Sequence, residues 1–213
     1  MWSPACLVLL ALPFALALPQ RGGKPKSAAA GAGAGGAAAA GCKPMMVVFA
    51  RGTTETGTLG TIVGPPYMAA MEKVAGAGNV AMLGVPYPAD VPGFLAGGDK
   101  KGSAMMAAMV MQTMANCPDS SVSMGGYSQG SQLVHNAAAL MPPGVAAKMS
   151  SAVLFGDPMN GKPVAGVSKA KTKVICHTGD LICAGTSTIL APHLTYGRDT
   201  PDAAAFAVGA AGK

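Results

Sequence analysis

The sequence predicts an α/β fold, a three-layer αβα sandwich in which helices cover both faces of a parallel sheet. Short apolar runs alternate with longer runs of helical character along the 213-residue chain. The first apolar run, MMVVFA, is apolar at every position, as expected of a strand buried on both faces. Strands that alternate with helices at this spacing form parallel sheets, because each helix carries the chain back across one face.

Each element is predicted from its own pattern. The strands are predicted at residues 45–50, 79–83, 121–125, 151–155 and 171–176, and the helices at residues 66–74, 101–116, 128–141 and 202–208. Pro66 suits the start of the first helix, whereas Pro142 and Pro143 stop the third. Prolines and glycines in quick succession predict a loop over residues 84–98.

Composition excludes several classes of protein. Half of the residues are hydrophobic and 11% are charged, which excludes a disordered chain and a coiled coil. The length suits one domain with a sizeable core. The formal charge is +6, but three basic residues lie in a low-complexity stretch, which leaves +3 for the folded part. No basic stripe with interleaved aromatic residues occurs, so a nucleic-acid partner is not expected.

The first 41 residues are predicted to lie outside the folded domain. Residues 1–17 are apolar, carry no charged side chain and end in Ala15-Leu16-Ala17, which is typical of a cleaved secretory signal. This run is shorter than the roughly 20 residues of a transmembrane helix. Residues 18–41 read as an Ala/Gly-rich flexible tail or pro-segment, because their small side chains cannot offset backbone entropy. The folded domain is predicted at residues 42–213, with no transmembrane segment.

The cysteine count favours disulfide bonds. Four cysteines remain outside the predicted signal: Cys42, Cys117, Cys176 and Cys183. An even count in a secreted chain predicts two disulfides, with three possible connectivities. The alternative is a metal site formed by the last two cysteines with His177 and His193, but its spacing matches no common zinc pattern.

A G-x-S-x-G pentapeptide at residues 126–130 lies between a predicted strand and a predicted helix. In that context its serine, Ser128, sits on a tight strand-to-helix turn, and the helix N-terminus helps a backbone N–H to stabilise an oxyanion. The motif therefore indicates a nucleophilic serine. The alternative is a structural turn in a glycine-rich protein.

A serine nucleophile needs a base and an orienting carboxylate. The chain contains three histidines, His135, His177 and His193. The first of them follows Ser128 by seven residues on the same predicted helix, so it does not reach back to the turn. The usual order in this fold class is serine, acid, histidine, which admits Asp157 or Asp180 as the acid and either later histidine as the base. The pattern alone leaves these alternatives open.

The segment RGTTETG at residues 51–57 follows the first predicted strand. Its position and glycine content suit a second oxyanion donor from an early loop, with a polar turn as the alternative. No G-x-x-x-x-G-K-[ST] motif occurs, and no G-x-G-x-x-G follows a strand. A nucleotide cofactor is therefore not expected.

Seven segments carry a more specific signal than the pentapeptide alone. They are ARGTTETGTLG (50–60), VGPP (63–66), FLAGGD (94–99), CPDSSVSMGGYSQG (117–130), LFGDP (154–158), ICHTGDLIC (175–183) and HLTY (193–196). In this order they resemble the fungal cutinases, small secreted serine esterases of the α/β-hydrolase class. The resemblance covers about residues 42–207, which is most of the predicted mature chain. It implies five parallel strands, no cofactor or metal, and the disulfide pairs Cys42–Cys117 and Cys176–Cys183.

The resemblance also implies roles at the site. The catalytic residues that it implies are Ser128 as nucleophile, Asp180 as acid and His193 as base. Asp157 then becomes a structural residue at the end of a strand. Thr53 corresponds to the hydroxyl residue of the family oxyanion hole, and Gln129 supplies the second donor through its backbone N–H.

Two apolar loops, residues 86–95 and 184–190, are expected to flank an open site and to lie on a waxy polyester surface. The candidate wall residues are Tyr87, Val91, Phe94, Leu181, Ile189 and Leu190. Core packing is the alternative for these side chains. The expected partner is cutin polyester or a lipid-like ester surface, which a monomer meets outside the cell.

The resulting hypothesis is a secreted serine carboxylic ester hydrolase, a cutinase that degrades cutin and short-chain acyl esters through an acyl-enzyme. One alternative is an acetylxylan esterase, because such enzymes share the GYSQG elbow and the fold. The other is a non-catalytic secreted surface or effector protein. The complete serine, aspartate and histidine set argues against this last alternative, because a binding protein does not need it.

Overall fold

The computed structural model describes residues 41–142 and 144–213. The predicted signal and all of the predicted tail except Gly41 lie outside the described residues, as does Pro143. The strands are β1 (Met45–Ala50), β2 (Val80–Gly84), β3 (Ser121–Tyr127), β4 (Ser151–Phe155) and β5 (Thr172–Ile175). The α-helices are α1 (Gly64–Ala75), α2 (Val91–Leu95), α3 (Lys100–Asn116), α4 (Gln129–Leu140) and α5 (Thr200–Ala210). None of the helices in these ranges is long and apolar enough to span a bilayer.

The five strands form one parallel sheet in the order β2-β1-β3-β4-β5. Its register pairs Ala50 with Gly126 and Tyr127 with Phe155, which brings the carboxyl ends of β1, β3 and β4 to one edge. Ligands of open α/β sheets bind outside this edge. The predicted fold class, an αβα sandwich around a five-stranded parallel sheet, is confirmed.

Side chains of β1 alternate between two cores, one on each face of the sheet. Met46 and Val48 belong to a core shared with α3 and α4, whereas Val47 and Phe49 belong to a core shared with α1 and α5. Every residue of β1 is buried. Burial on both faces is the physical reason why this segment is apolar throughout.

The predicted bounds of β1 and β4 agree with the structure, and the other predicted elements differ by at most two residues at either end. The predicted loop at 84–98 is the exception, because it contains α2. Asp90 caps this helix by accepting a hydrogen bond from the Gly93 N–H at 2.8 Å, and Pro92 lies in its first turn. Proline is tolerated in the first turn because the N–H that it lacks would have no intrahelical partner there. Pro92, which predicts a loop from the sequence, is therefore found at the start of a helix.

Two disulfides tie the sheet to neighbouring segments. Cys42, before β1, bonds to Cys117 after α3, and Cys176, after β5, bonds to Cys183. These are the pairs that the resemblance implies. Because both sulfurs of the second pair are bonded to each other, they cannot serve as thiolate ligands in the alternative metal site. Within the described part of the chain, no group of three or more His, Cys, Asp or Glu side chains could hold a metal ion.

We expect the two disulfides to contribute unequally to the free energy of unfolding. Cys42 and Cys117 are 75 residues apart, whereas Cys176 and Cys183 are seven apart. Loop entropy predicts stabilisation of about 4.5 and about 2.4 kcal/mol, respectively. Serine at both positions of the first pair should therefore lower stability by about 2 kcal/mol more than the same change in the second. Urea unfolding followed by circular dichroism measures this, and a greater loss in the second variant contradicts it.

Candidate active site

Ser128 lies on a strained turn between β3 and α4. Its φ of 56° and ψ of −120° are unusual for a residue other than glycine. A Cβ on Gly126 would lie 2.3 Å from the Gly130 carbonyl oxygen, and a Cβ on Gly130 would lie 1.9 Å from that of Ala50. The Ser128 N–H donates to the Phe155 carbonyl at 2.9 Å, which ties the turn to β4. Close backbone packing therefore requires both glycines of the pentapeptide.

Ser128, His193 and Asp180 form a continuous hydrogen-bonded chain. The Nε2 atom of His193 lies 2.9 Å from Ser128 Oγ, and its Nδ1 atom lies 2.8 Å from Asp180 Oδ2. All three residues are buried. An ionised carboxylate can only accept, so Nδ1 carries the ring proton and Nε2 accepts from the serine hydroxyl. Such an arrangement can remove the hydroxyl proton and make Oγ a nucleophile.

Asp180 is held in its charged form by several donors. The Tyr196 hydroxyl donates to Oδ2 at 2.7 Å, and the Ile182 N–H donates to Oδ1 at 3.0 Å. Burial acts to raise the pKa of Asp180, but the hydrogen bonds from His193 and Tyr196 outweigh it and hold this pKa below its ordinary value. Burial and the bond to Asp180 raise the pKa of Tyr196, which therefore stays a neutral donor.

Tyr196 is fixed in turn by His177. The two rings stack with centroids 4.0 Å apart, and the His177 N–H donates to the Tyr196 hydroxyl at 2.9 Å. The His177 ring bonds through Nε2 to Asp199 Oδ2 at 2.7 Å and through Nδ1 to the Pro192 carbonyl at 2.8 Å. Tyr196 was not predicted from the sequence to be part of the site. The signal available was a tyrosine three residues after His193 whose hydroxyl needs a partner when buried.

The structure keeps the other aspartate and histidine candidates away from Ser128. His177 bonds to Asp199, and His135 Nε2 lies 2.9 Å from Asp157 Oδ2. The side chains of this second pair are 4% and 0% exposed, and they link α4 to the segment after β4. The pairing agrees with the structural role that the resemblance implies for Asp157.

The side chain of Gln129 orients Thr53. Its Nε2 atom donates to Thr53 Oγ1 at 2.9 Å and to the Asp90 carbonyl at 2.8 Å. Because a carbonyl can only accept, the bond to Asp90 fixes which end of the amide faces Thr53. The Thr53 hydroxyl thus accepts from Gln129 and keeps its own proton free to donate. Gln129 is also the first residue of α4, where a backbone N–H has no intrahelical partner. Only this N–H, and not the side-chain amide, was predicted to contribute to the site.

One carboxylate closes the loop that carries Thr53. Glu55 accepts hydrogen bonds from the N–H groups of Gly52, Thr61 and Ile62 at 2.7, 2.8 and 2.8 Å. Within the loop, Thr54 has a φ of 65°, which is rare for a β-branched residue, and its N–H donates to the Ala89 carbonyl at 2.7 Å. The loop is therefore held by specific bonds along its length.

Two cavities open beside Ser128 and share Thr53, Ser128 and Ile189. The apolar cavity, about 250 Å³, is lined in addition by Val91, Phe94, Leu95, Ile182 and Ser187. The threonine cavity, about 300 Å³, is lined in addition by Thr54, Glu55, Thr56, Thr61, Ile62, Tyr127, His193 and Leu194. Ser128 therefore lies where two cavities of different chemistry meet.

The six candidate wall residues occupy three different kinds of position in the structure. Val91, Phe94 and Ile189 line the apolar cavity. Leu95, Ile182 and Ser187 also line it, although they were not among the predicted wall residues. Leu181 and Leu190 are exposed but line neither cavity. The placement of Tyr87 in the wall is corrected, because its ring is buried against the Arg51 guanidinium and its hydroxyl donates to the Arg51 carbonyl.

Comparison with known proteins gives one consistent family. A family model described as "Cutinase" matches residues 41–211. A cutinase of Botryotinia fuckeliana is 61% identical over 171 residues, which cover 80% of this chain and 85% of that protein. The structure of Trichoderma reesei cutinase with a C11Y4 phosphonate inhibitor matches with a TM-score of 0.77 and 45% identity, over 80% of this chain and 77% of that one.

An acetylxylan esterase structure is also similar, with a TM-score of 0.65 over 80% of this chain and 100% of that one. Its identity is 22%, so the likeness shows a common fold alone. The family model, in contrast, matches nearly every described residue. The resemblance first inferred from seven sequence segments is confirmed, and the chain belongs to the cutinase family.

Proposed function

We propose that the chain is a secreted cutinase that hydrolyses cutin polyester and short-chain acyl esters through an acyl-enzyme on Ser128. As a member of the cutinase family it is a carboxylic ester hydrolase. One observation carries the proposed mechanism, the hydrogen-bonded chain from Ser128 through His193 to Asp180, with distances of 2.9 and 2.8 Å. The acetylxylan esterase alternative has only a shared fold in its support, so the cutinase function is favoured.

In the acylation step, His193 Nε2 takes the hydroxyl proton as Ser128 Oγ attacks the ester carbonyl carbon. The developing oxyanion accepts hydrogen bonds from the Thr53 hydroxyl and the Gln129 N–H. Asp180 holds the imidazole tautomer and stabilises the imidazolium. The intermediate collapses, the bond from carbon to the alcohol oxygen breaks, and His193 gives its proton to that oxygen.

In the deacylation step, a water molecule replaces the alcohol. His193 takes a proton from the water as its oxygen attacks the acyl carbon, and the same donors bind the second oxyanion. The bond from the acyl carbon to Ser128 Oγ then breaks, and His193 returns the proton to Oγ. The carboxylic acid leaves, and the hydroxyl, imidazole and carboxylate are back in their starting states.

Exposed apolar side chains at the mouth of the cavities support a polyester surface as the substrate. Val91, Leu95, Ile189 and Leu194 line the cavities and are 50, 66, 55 and 52% exposed. Exposed apolar groups that cluster in this way mark interaction sites. We propose that this rim lies on the polymer while the acyl chain enters the apolar cavity against Val91, Phe94 and Ile189.

We also propose the organisation of a secreted protein, with a signal at residues 1–17, a tail or pro-segment at 18–41 and a catalytic domain at 42–213. The charge-free apolar start of the chain and its two disulfides support secretion, because disulfides persist in oxidising compartments. We propose a monomer as the active form, in which a single chain carries the whole site.

Replacing Ser128 by alanine should lower the rate of p-nitrophenyl butyrate hydrolysis by about 10⁴-fold or more, because the nucleophile is lost. The exposed Ser168, which lines neither cavity, provides a control, and Ser168→Ala should keep full activity. Release of nitrophenolate measures the aryl ester, and acid titration measures a cutin suspension. Activity on acetylated xylan alone favours the alternative esterase, and unchanged activity in Ser128→Ala contradicts the proposal.

Asp180→Asn should lower kcat by about 10³- to 10⁴-fold, because the amide cannot hold the imidazole in the required tautomer. Asp157→Asn should keep kcat within about tenfold and instead lower the free energy of unfolding by about 1–3 kcal/mol, because it weakens a buried pair. Kinetics and urea unfolding of both variants test this. The opposite pattern, with activity lost only in Asp157→Asn, would reverse the assignment of the acid.

Tyr196→Phe should raise the pKa of Asp180, because one donor to its charged form is lost. The charged form of Asp180 dominates above this pKa and is lost as pH falls through it. Because protonation of the carboxylate removes the acceptor that holds His193 Nδ1–H, the acid limb of kcat/KM should move to higher pH. The matched control is Tyr67→Phe, because the buried Tyr67 hydroxyl has no hydrogen-bond partner among the described residues. Equal pH profiles for the two variants would show that Tyr196 only fills space.

A further inference from the structure

Among the differences between the two cavities, the position of His193 decides which half of an ester each cavity can hold. His193 lines the threonine cavity and does not line the apolar cavity. During acylation the proton on its Nε2 atom must pass to the oxygen of the departing alcohol. That oxygen must therefore lie on the His193 side of Ser128. The alcohol half of the ester then extends into the threonine cavity, and the acyl half extends into the apolar cavity.

The lining of the threonine cavity suits a polar alcohol. It includes four threonines, Thr53, Thr54, Thr56 and Thr61. Thr56 and Thr61 are exposed, and the Thr61 hydroxyl donates to Glu55 Oε1 at 3.5 Å, which leaves its oxygen able to accept a further hydrogen bond. Ile62 and Leu194 add apolar surface to the same cavity. A short carbon chain that ends in a second hydroxyl group would match both kinds of lining.

The wall that carries these hydroxyl groups is preorganised. Glu55 also lines the cavity, and its two oxygens accept hydrogen bonds from three backbone N–H groups and from the Thr61 hydroxyl, so this carboxylate holds the loop in place. A Cβ on Gly60 would lie 2.3 Å from Glu55 Oε2, so the loop closes this tightly only with glycine there. The strained φ of Thr54 is a further sign of a functional constraint on this loop. A fixed wall loses little entropy when it binds a ligand.

We infer that the threonine cavity is a subsite for the alcohol half of the ester, in which Thr56 and Thr61 favour alcohols that carry a second hydroxyl group, such as diols and glyceryl groups. The inference rests on the proposed acyl-enzyme mechanism, because the direction of proton transfer from His193 assigns the two cavities. It adds specificity for the leaving alcohol to the proposed specificity for the acyl chain.

The subsite is tested by letting two alcohols compete for the same acyl-enzyme. Both alcohols then displace the same leaving group, Ser128 Oγ, so only their binding differs. Hydrolysis of p-nitrophenyl butyrate forms butyryl-Ser128, and equal concentrations of 1-butanol and 1,4-butanediol then compete with water for it. The attacking alcohol gives its proton to His193 and bonds to the acyl carbon. The bond to Ser128 Oγ breaks, and Oγ regains the proton from His193. Gas chromatography measures the ratio of 4-hydroxybutyl butyrate to butyl butyrate.

The unmodified protein should favour the diol about threefold per hydroxyl group, as expected for one added hydrogen bond. The double variant Thr56→Val with Thr61→Val removes both hydroxyl groups at nearly constant shape, so its preference per hydroxyl group should fall to about one, which is a product ratio of about two. Thr56→Ser with Thr61→Ser keeps the hydroxyl groups and should keep the preference. Thr58→Val is the matched control, because Thr58 belongs to the same loop but lines neither cavity.

The outcomes separate this inference from the proposed function. If the protein hydrolyses none of the esters, no acyl-enzyme forms and the proposed function fails. If it hydrolyses p-nitrophenyl butyrate but shows no preference for the diol, the alcohol subsite alone is refuted. A preference that survives in the double valine variant, or that disappears equally in Thr58→Val, also overturns the role of Thr56 and Thr61.

Discussion

The site depends on backbone packed directly against backbone where β1, β3 and α4 meet. Gly130 touches the end of β1 so closely that a Cβ would lie 1.9 Å from the Ala50 carbonyl oxygen. Helix α4 therefore starts against the carboxyl end of β1, and the loop after β1 faces the start of α4. Because Thr53 lies on that loop and Gln129 begins that helix, both candidate oxyanion donors come together beside Ser128 without any further element.

All three histidines within the described residues bond to an aspartate, yet only one of these pairs reaches a serine. His135 follows Ser128 by seven residues on α4, so it lies about 10 Å further along the helix. His177 stacks on Tyr196 behind Asp180. In the proposed mechanism, one of these aspartate–histidine pairs takes part in the chemistry, whereas the other two hold neighbouring segments together. The proximity of a serine Oγ, rather than the pair itself, distinguishes the proposed catalytic histidine.

Patterns with a direct physical cause were predictable from the sequence. The bounds of β1 and β4 were predicted correctly because strands buried on both faces are mainly apolar. The Ser128 turn was predictable because close backbone packing leaves no space for side chains at its two glycines. The choice between Asp157 and Asp180 was not predictable from pattern, since both follow strands, and the family resemblance supplied it. Tyr87 was misplaced because its ring packs on Arg51, a contact between distant segments. The bond from Tyr196 to Asp180 has the same origin in tertiary packing.

The amide of Gln129 is anchored on the Asp90 carbonyl before any substrate arrives, so the direction of the Thr53 hydroxyl dipole is settled when the chain folds. In the proposed mechanism, the oxyanion meets a dipole that needs no reorganisation in each turnover. The ordering entropy is lost once, during folding. The Gln129 Oε1 atom is buried without a partner among the described residues, which is a further loss of stability at the same place. In the proposed mechanism, this loss of stability accompanies a gain in catalytic rate. Selection for a higher melting temperature alone is therefore expected to replace the buried Gln129 amide early.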